Sequence, residues 1–280
     1  MIQLAIAVFS AIFLSWLERK IKARSQFRVG PPIYQQIADL WKLFQKQNIR
    51  SALANPLMNF LPLISLMAVA LIATSLPLGS LGGSIDVISL IFLFALTSLI
   101  YVFAGLLSYS HYGFIGAKRE LLQFFSYEIP FALGILSVAI FHHTIYFLEP
   151  FQFSLVLIPS MVAFYIAGIA KLRRAPFDIP NANQEIIEGS LTEFSGPSLG
   201  VFLLSEWMEA FVICSVFVDL FMGFNDVLLS VLLAYLVFVS FVLIDVVTPR
   251  ARLDSMIRFF KNYVIAISVF GVVLCYLWTL

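Results

Sequence analysis

The chain has 280 residues, 61% hydrophobic and only 12% charged, a balance that excludes a water-soluble domain of this length and makes the bilayer its main solvent. The formal net charge of +1 says nothing about partners, because the 17 basic residues are segregated into four stretches between long apolar runs. The two cysteines, Cys214 and Cys275, lie inside apolar runs and are too few and too scattered to ligate an iron–sulfur cluster or a zinc ion, so they read as packing residues.

A hydrocarbon core takes about 20 residues of apolar helix to cross. Eight runs qualify as transmembrane helices: Ile2–Leu17, Leu57–Leu78, Val87–Tyr109, Ile129–Leu148, Phe153–Ala170, Leu199–Met222, Val227–Val247 and Tyr263–Leu280. The fold class is therefore an all-α integral membrane protein, a single domain over residues 1–280, with about eight spanning helices. The first run is the shortest, yet it lacks a basic leader and a small-residue cleavage site, so it reads as a membrane helix rather than a secretory signal.

The connections sort by charge. The first holds Arg19, Lys20, Lys22, Arg24, Arg28, Lys42, Lys46 and Arg50, the third Lys118 and Arg119, the fifth Lys171, Arg173 and Arg174, and the seventh Arg250, Arg252, Arg258 and Lys261, which accounts for all 17. The even connections are short and carry only acids, with Asp86, Glu149 and Asp226 at or near them. The positive-inside rule puts the odd connections in the cytoplasm and both termini outside.

The first and fifth connections run to roughly 40 and 30 residues, lengths that usually mark function. In the first, Pro31 and Pro32 precede apolar Ile33, Ile37, Leu40, Trp41 and Phe44 at helical spacing, with Gln35, Gln36, Asp39 and Lys42 on the other face. This predicts an amphipathic helix opened by proline at its first turn, which either floats among the lipid headgroups or straps neighbouring helices and docks a partner. The fifth connection follows its basic residues with Asp178, Glu185, Glu188 and Glu193 and interleaves Phe177, Ile179, Ile186, Ile187, Leu191 and Phe194. That interleaving predicts burial against the bundle rather than a solvated loop.

Carboxylates in apolar runs are costly and usually face a partner or a water-filled path. Glu206 and Glu209 lie three residues apart on the sixth helix and face a similar direction. Glu128 is expected to begin the fourth helix and Asp245 to sit near the inner end of the seventh. His142 and His143, near the outer end of the fourth, read as interfacial.

Several stretches resemble the signatures of the NuoH family, the heel subunit of respiratory complex I and of related membrane-bound [NiFe] hydrogenases. They are Glu18-Arg19-Lys20, Gln26-Phe27-Arg28-Val29-Gly30-Pro31, Ala38-Asp39-Leu40-Trp41-Lys42-Leu43, Ser126-Tyr127-Glu128, Arg174-Ala175-Pro176-Phe177-Asp178-Ile179-Pro180, Thr192-Glu193-Phe194-Ser195-Gly196 and Pro249-Arg250-Ala251-Arg252-Leu253-Asp254. The resemblance runs in order over nearly the whole chain. It implies a non-catalytic subunit of an oxidoreductase complex in a prokaryotic plasma membrane. Such a subunit joins cluster-bearing peripheral subunits and a hydrogenase-like large subunit to antiporter-like membrane subunits; no nucleic acid is involved. The chain itself would hold no cofactor or metal, with iron–sulfur clusters, and nickel–iron in the hydrogenase case, in the partners.

Carried over by position, the resemblance implies that Arg28, Gly30, Pro31, Asp39, Lys42, Arg174, Phe177, Asp178, Arg250, Arg252 and Asp254 form the docking surface. Glu128 and Glu206 match the acids of the family's proton path, and Glu185 and Glu193 would serve docking and coupling; Glu209 and Asp245 join the candidate path as carboxylates in apolar runs. Two departures bear on this. The Gly-Pro element of the first connection is contracted, shortening the rim of a quinone site, and Pro180-Asn181-Ala182-Asn183 stands where the family commonly has two acids. Asparagine keeps hydrogen bonds but exchanges no proton. Any proton route through residues 181 and 183 is therefore in doubt. The contracted first connection, with Gln184-Glu185 and Ser190-Leu191-Thr192-Glu193, is more similar to the hydrogenase branch and implies a ferredoxin-linked, quinone-independent complex, with a sulfur-reducing complex next and a quinone-reducing complex I as a further alternative. From another class, a stand-alone secondary transporter also puts carboxylates in membrane helices, but no internal repeat is visible.

Overall fold

The computed structural model describes residues 2–49, 55–79, 81, 83–147, 150–151, 153–187 and 189–279, apart from the side chains of residues 183 and 184. Arg50, Glu149, Glu188 and the side chain of Asn183 lie outside the described residues. The elements among them are α1 (Ile2–Ser25), α2 (Gln35–Gln45), α3 (Leu61–Ser75), α4 (Val87–Leu107), α5 (His111–His142), α6 (Ile158–Lys171) and α7 (Asn183–Ile186). They continue with α8 (Gly196–Phe221), α9 (Val227–Val247), α10 (Leu253–Phe259) and α11 (Ile265–Thr279), the last two joined through a π-helical turn at Phe260–Val264. Seven helical stretches are long and apolar enough to cross a membrane, and an eighth, Leu155–Lys171, is apolar but shorter. The chain is an all-α integral membrane protein. Its few strand residues, Ile85–Asp86 (β1) and Tyr146–Phe147 (β2), pair antiparallel and tie two connections together at the end of the bundle opposite the basic residues.

The helices pack as two groups. In one, α5 touches α4, α6 and α11; in the other, α8 touches α1, α3, α9 and α2; the contacts α3 with α4 and α6 with α8 join them. Because lipid is as apolar as the core, exposed Phe and Leu side chains need no cover here, and close packing and polar contacts hold the helices together.

The main correction to the sequence reading concerns the fourth spanning helix. It begins at His111, not at residue 129, so Lys118 and Arg119 lie inside a helix of 32 residues, about 48 Å long, and the third connection shrinks to Ser108–Ser110. Glu128 consequently sits mid-helix rather than at a helix start. Lys171 also belongs to a helix, as the last residue of α6, and is fully buried rather than part of an open loop. The prolines of the first connection lie ahead of α2, whose N-cap is Tyr34. That helix rests on α1 and α8 through Gln36 and Leu40, while Ile33, Ile37, Trp41 and Phe44 point outward.

The fifth connection folds against the bundle. Phe177, Ile179, Ile186, Leu191 and Phe194 are buried there, and Ile187 alone of the six interleaved apolar residues is exposed. Phe177 stacks on Phe259 and Phe260, and Ala251 N–H donates to the Pro176 carbonyl at 2.8 Å, which ties the fifth connection to the seventh. It packs tightly on α5 at Gly116, where a Cβ would stand 2.7 Å from the Gly189 Cα. Gly189 itself has φ +55°, a conformation glycine adopts at little cost. Gly116→Val should therefore push the connection off α5 and destabilise the chain by about 2 kcal/mol, read as a lowered thermal midpoint in detergent; an unchanged midpoint would show that this contact is dispensable.

Candidate functional site

The site is built on the way α6 ends. Arg173 N–H donates to the Ala170 carbonyl and Arg174 N–H to the Ile169 carbonyl, with Arg173 at φ 52°. These are the two bonds of a Schellman turn, with arginine in the left-handed position usually given to glycine. A bulky residue there costs about 1–2 kcal/mol. In return, the turn sends Lys171 and Arg173 back into the bundle and Arg174 toward α1.

Arg173 is 5% exposed and lies over the Tyr101 ring, its guanidinium carbon 3.6 Å from the centroid. It pairs with Glu120 of α5 at 3.5 Å and with Glu206 of α8 at 3.8 Å. These acids hold its charge more firmly than usual, against the opposing effect of burial. Lys171, 1% exposed, stands 3.8 Å from Glu209 and 4.0 Å from Glu128, while donating to the Phe94 carbonyl at 2.7 Å and to Ser98 Oγ at 2.6 Å. Thr97 Oγ1 lies 2.6 Å from Glu209 Oε1, and Tyr127 donates to Ser98 at 2.9 Å. Four carboxylates thus face two cations, an acid-rich set at the junction of α5, α6 and α8. The ion-pair spacings of 3.5–4.0 Å exceed direct hydrogen bonds and suit relay through water.

A polar cavity of about 240 Å³ leads to this set from the basic end of the bundle, lined in part by Glu18, Lys22, Arg174, Asp178, Glu206 and Asp245. Its walls are paired: Lys22 bridges Glu18 at 2.8 Å and Asp245 at 2.5 Å, Arg174 contacts Glu18, and Asp245 accepts from the Ala175 N–H at 2.8 Å. Glu206, with 22% of its side chain exposed, reaches both the cavity and Arg173, so it connects the two. In the cavity wall, burial pushes the Asp178 carboxyl up to about 6, against opposing pulls from Arg250, Lys22 and Arg174.

The structure brings Glu128, Glu206 and Glu209 into one network, with Asp245 at its entrance. Glu185 lies apart at the surface, pairing with Arg119 at 2.7 Å and Arg250 at 3.4 Å, which hold its carboxyl below the usual range. Glu193 is half-buried and joins no ion pair among the described residues. Of the residues expected on a docking surface, Arg28, Lys42, Arg252 and Asp254 are exposed. Others serve internal contacts. Asp39 pairs with Arg19 at 2.9 Å, binding α2 to α1, and the Pro31 carbonyl accepts from the Trp16 indole at 3.1 Å. Gly30, at φ 75°, turns the chain against Lys20 and Ala23, and Arg250 donates to the Ile179 carbonyl at 2.9 Å. Arg174 and Phe177 face inward, so the expectation that they present themselves to a partner is corrected.

Sequence reasoning missed Glu120 and undervalued Lys171 and Arg173. It also passed over Asp219, a buried carboxyl of α8 with no hydrogen-bond partner among the described residues, about 15 Å along the helix from Glu209.

Arg173→Met should cost about 3–5 kcal/mol, because it leaves buried carboxylates uncompensated, and adding Glu120→Gln should recover part of the loss; additive midpoints in the double-mutant cycle would show the pair to be uncoupled. Asp178 has a raised folded value, so the stability it contributes is full below the ordinary value of 3.8 and is lost as pH rises through about 6. Asp178→Asn should therefore gain stability relative to the native chain across that interval, and a pH-independent difference in midpoint would contradict it.

Comparison with known proteins agrees with this architecture. A family model described as NADH dehydrogenase matches residues 1–276. An NADH-quinone oxidoreductase subunit from Pelagibacter ubique is 30% identical over 95% of this chain and 89% of its own length. The NADH-ubiquinone oxidoreductase chain 1 of Chondrus crispus is 30% identical over 95% and 93%. Among solved structures, a chain of the membrane-bound sulfane sulfur reductase, an archaeal respiratory membrane complex, superposes with a TM-score of 0.86 at 26% identity, covering 97% of this chain and 96% of that one. With a family match over nearly its whole length, the chain belongs to the NADH dehydrogenase family, as a NuoH-type membrane protein.

Proposed function

We propose that this chain is the membrane-anchoring and coupling subunit of a complex I-related respiratory complex, linking electron transfer in a peripheral iron–sulfur arm to ion translocation by antiporter-like membrane subunits. One observation carries the reading: an acid-rich buried network reached by a polar cavity at the end of the bundle where the long connections fold. An arm seated on those connections changes charge with each redox step. Through the paired groups of the cavity that change shifts the proton occupancy of Glu206 and Glu128, and neighbouring pump subunits receive it sideways. The chain supplies no redox centre to this scheme; its residues hold and move protons.

The proposed arm is ferredoxin-linked, as the contracted first connection and the Gln184-Glu185 and Ser190-Leu191-Thr192-Glu193 stretches favour. A hydrogenase-type arm and a sulfur-reducing arm both fit, and the likeness to the sulfane sulfur reductase chain specifically supports the second. The proposed location is a prokaryotic plasma membrane, with the basic connections in the cytoplasm and both termini outside.

Purification from the native membrane in mild detergent should retain cluster-bearing and antiporter-like polypeptides. Stoichiometric nickel would assign the hydrogenase arm, its absence the sulfur-reducing or quinone-reducing one, and a lone polypeptide would support a stand-alone transporter instead. In the intact complex, Glu206→Gln should lower the number of ions pumped per electron at least tenfold; an unchanged ratio would remove Glu206 from the coupling path.

A further inference from the structure

We propose that Lys171 is the switch of the buried network: a positioning charge whose ammonium group serves Glu128 or Glu209, one at a time, and so fixes which of the two carboxyls holds a proton. The inference rests on the coupling reading and deepens it.

An ammonium group has three N–H donors. Two are committed, to the Phe94 carbonyl at 2.7 Å and to Ser98 Oγ at 2.6 Å. The third has two takers, Glu209 on α8 at 3.8 Å and Glu128 on α5 at 4.0 Å, and neither is within hydrogen-bond reach. A shift of about 1 Å in either direction completes one bond at the expense of the other. A counter-ion with a purely structural role would sit on one carboxylate at full contact. This one stands between two.

The surroundings permit that movement. Lys171 is held among the rings of Phe94, Tyr127 and Phe131, with centroids 5.4, 5.6 and 5.4 Å from its nitrogen. Cation–π attraction stabilises the charge without fixing the direction of a hydrogen bond. Arg173, two residues on, behaves differently: its guanidinium carbon stands 3.6 Å over the Tyr101 ring while its two terminal nitrogens already face Glu120 and Glu206, so it cannot reorient without leaving the ring. The network therefore has one fixed cation and one mobile cation.

Thr97 supplies a matching two-state element. Its oxygen lies 2.7 Å from the Phe94 carbonyl and 2.6 Å from Glu209 Oε1, but its single hydroxyl proton can go to only one of them. With Lys171 toward Glu209, Thr97 also donates to that carboxylate, and Glu128, whose oxygens have no hydrogen-bond partner among the described residues, holds a proton. With Lys171 toward Glu128, Thr97 turns to Phe94 and Glu209 takes a proton, which it donates to the Thr97 oxygen. Each switch releases one proton from one carboxyl and binds one at the other. Glu120 and Glu206, paired across Arg173, are the adjoining donors and acceptors, so the charge of the set is unchanged.

The test is infrared difference spectroscopy of the intact complex, reduced with dithionite and reoxidised, in the C=O stretch of protonated carboxyls. The native complex should show two bands of opposite sign, one lost in Glu128→Gln and the other in Glu209→Gln. Lys171→Arg keeps the buried charge but not the mobility, so both bands should lose their redox response; Lys171→Met should lose it too and serves as the second variant. Persistence of both bands at native amplitude in either Lys171 variant would overturn the proposal, as would a native complex in which only one of the two carboxyls responds. If Glu206→Gln lowers pumping while Lys171→Arg retains the paired bands, the switch fails and the coupling reading stands; if pumping is unaffected by Glu206→Gln, the coupling reading itself fails.

Discussion

Moving an ion from water into a protein interior costs several kcal/mol even after relaxation, and a lone buried charge is rarely tolerated. This bundle places Lys171, Arg173, Glu120 and Glu209 at or near full burial, and Glu128 and Glu206 only partly outside that condition. Much of the local architecture follows from keeping these charges matched. The Schellman turn after α6 delivers both cations together, α5 is long enough to present Glu120 and Glu128 two turns apart on neighbouring faces, and α8 brings Glu206 and Glu209 in from the other group of helices. The two groups of helices therefore meet at a polar junction, and that junction fixes how they sit against one another.

Ion pairs kept for stability alone are usually short and saturated with hydrogen bonds, because only then does attraction offset desolvation. The outer ring around the cavity has the short contacts: Lys22 lies 2.5 Å from Asp245 and 2.8 Å from Glu18, and Asp245 also accepts a backbone N–H. The inner network does not. Its pairs are spaced at 3.5–4.0 Å, and the carboxyl oxygens of Glu120 and Glu128 have no hydrogen-bond partner among the described residues. A stiff outer ring and a loose inner set make a graded structure. The outer part holds the long connection in place and the inner part has alternatives of similar energy, as a switching element requires.

Most of the fold was legible from hydropathy because spanning helices must satisfy their own backbone, so apolar runs and helices nearly coincide. The fourth helix broke that correspondence. From Gly116 to Tyr127 its buried face carries Glu120 and Gln123, and a hydropathy reading treats such residues as loop. The signal that was available is periodicity: Gly113, Gly116, Ala117, Glu120, Gln123, Phe124 and Tyr127 recur at helical spacing although two of them are strongly polar. A polar residue that keeps helical phase with small and aromatic ones marks a functional buried face rather than a break. Glu206 and Glu209 stood out because an apolar run surrounds them, whereas Lys171 and Arg173 looked like the basic start of a loop. Only the turn geometry, with arginine where glycine is usual, shows that they fold back.

In the proposed complex a signal from the arm enters the bundle indirectly. Arg174 and Phe177, matched by motif to a partner surface, are committed to internal contacts with Glu18 and with Phe259 and Phe260. Glu185, exposed, pairs with Arg119 of α5 and Arg250 of the seventh connection, and Arg250 in turn holds the Ile179 carbonyl beside Asp178. A partner that draws on the surface charge of Glu185 thus acts on Arg250, on the backbone beside Asp178 and on the cavity, without touching a buried group. Coupling through contiguous contacts of this kind requires an element with two arrangements at its far end. In the proposed scheme the inner pairs, spaced beyond direct hydrogen bonds and sharing the Lys171 ammonium group, are that element.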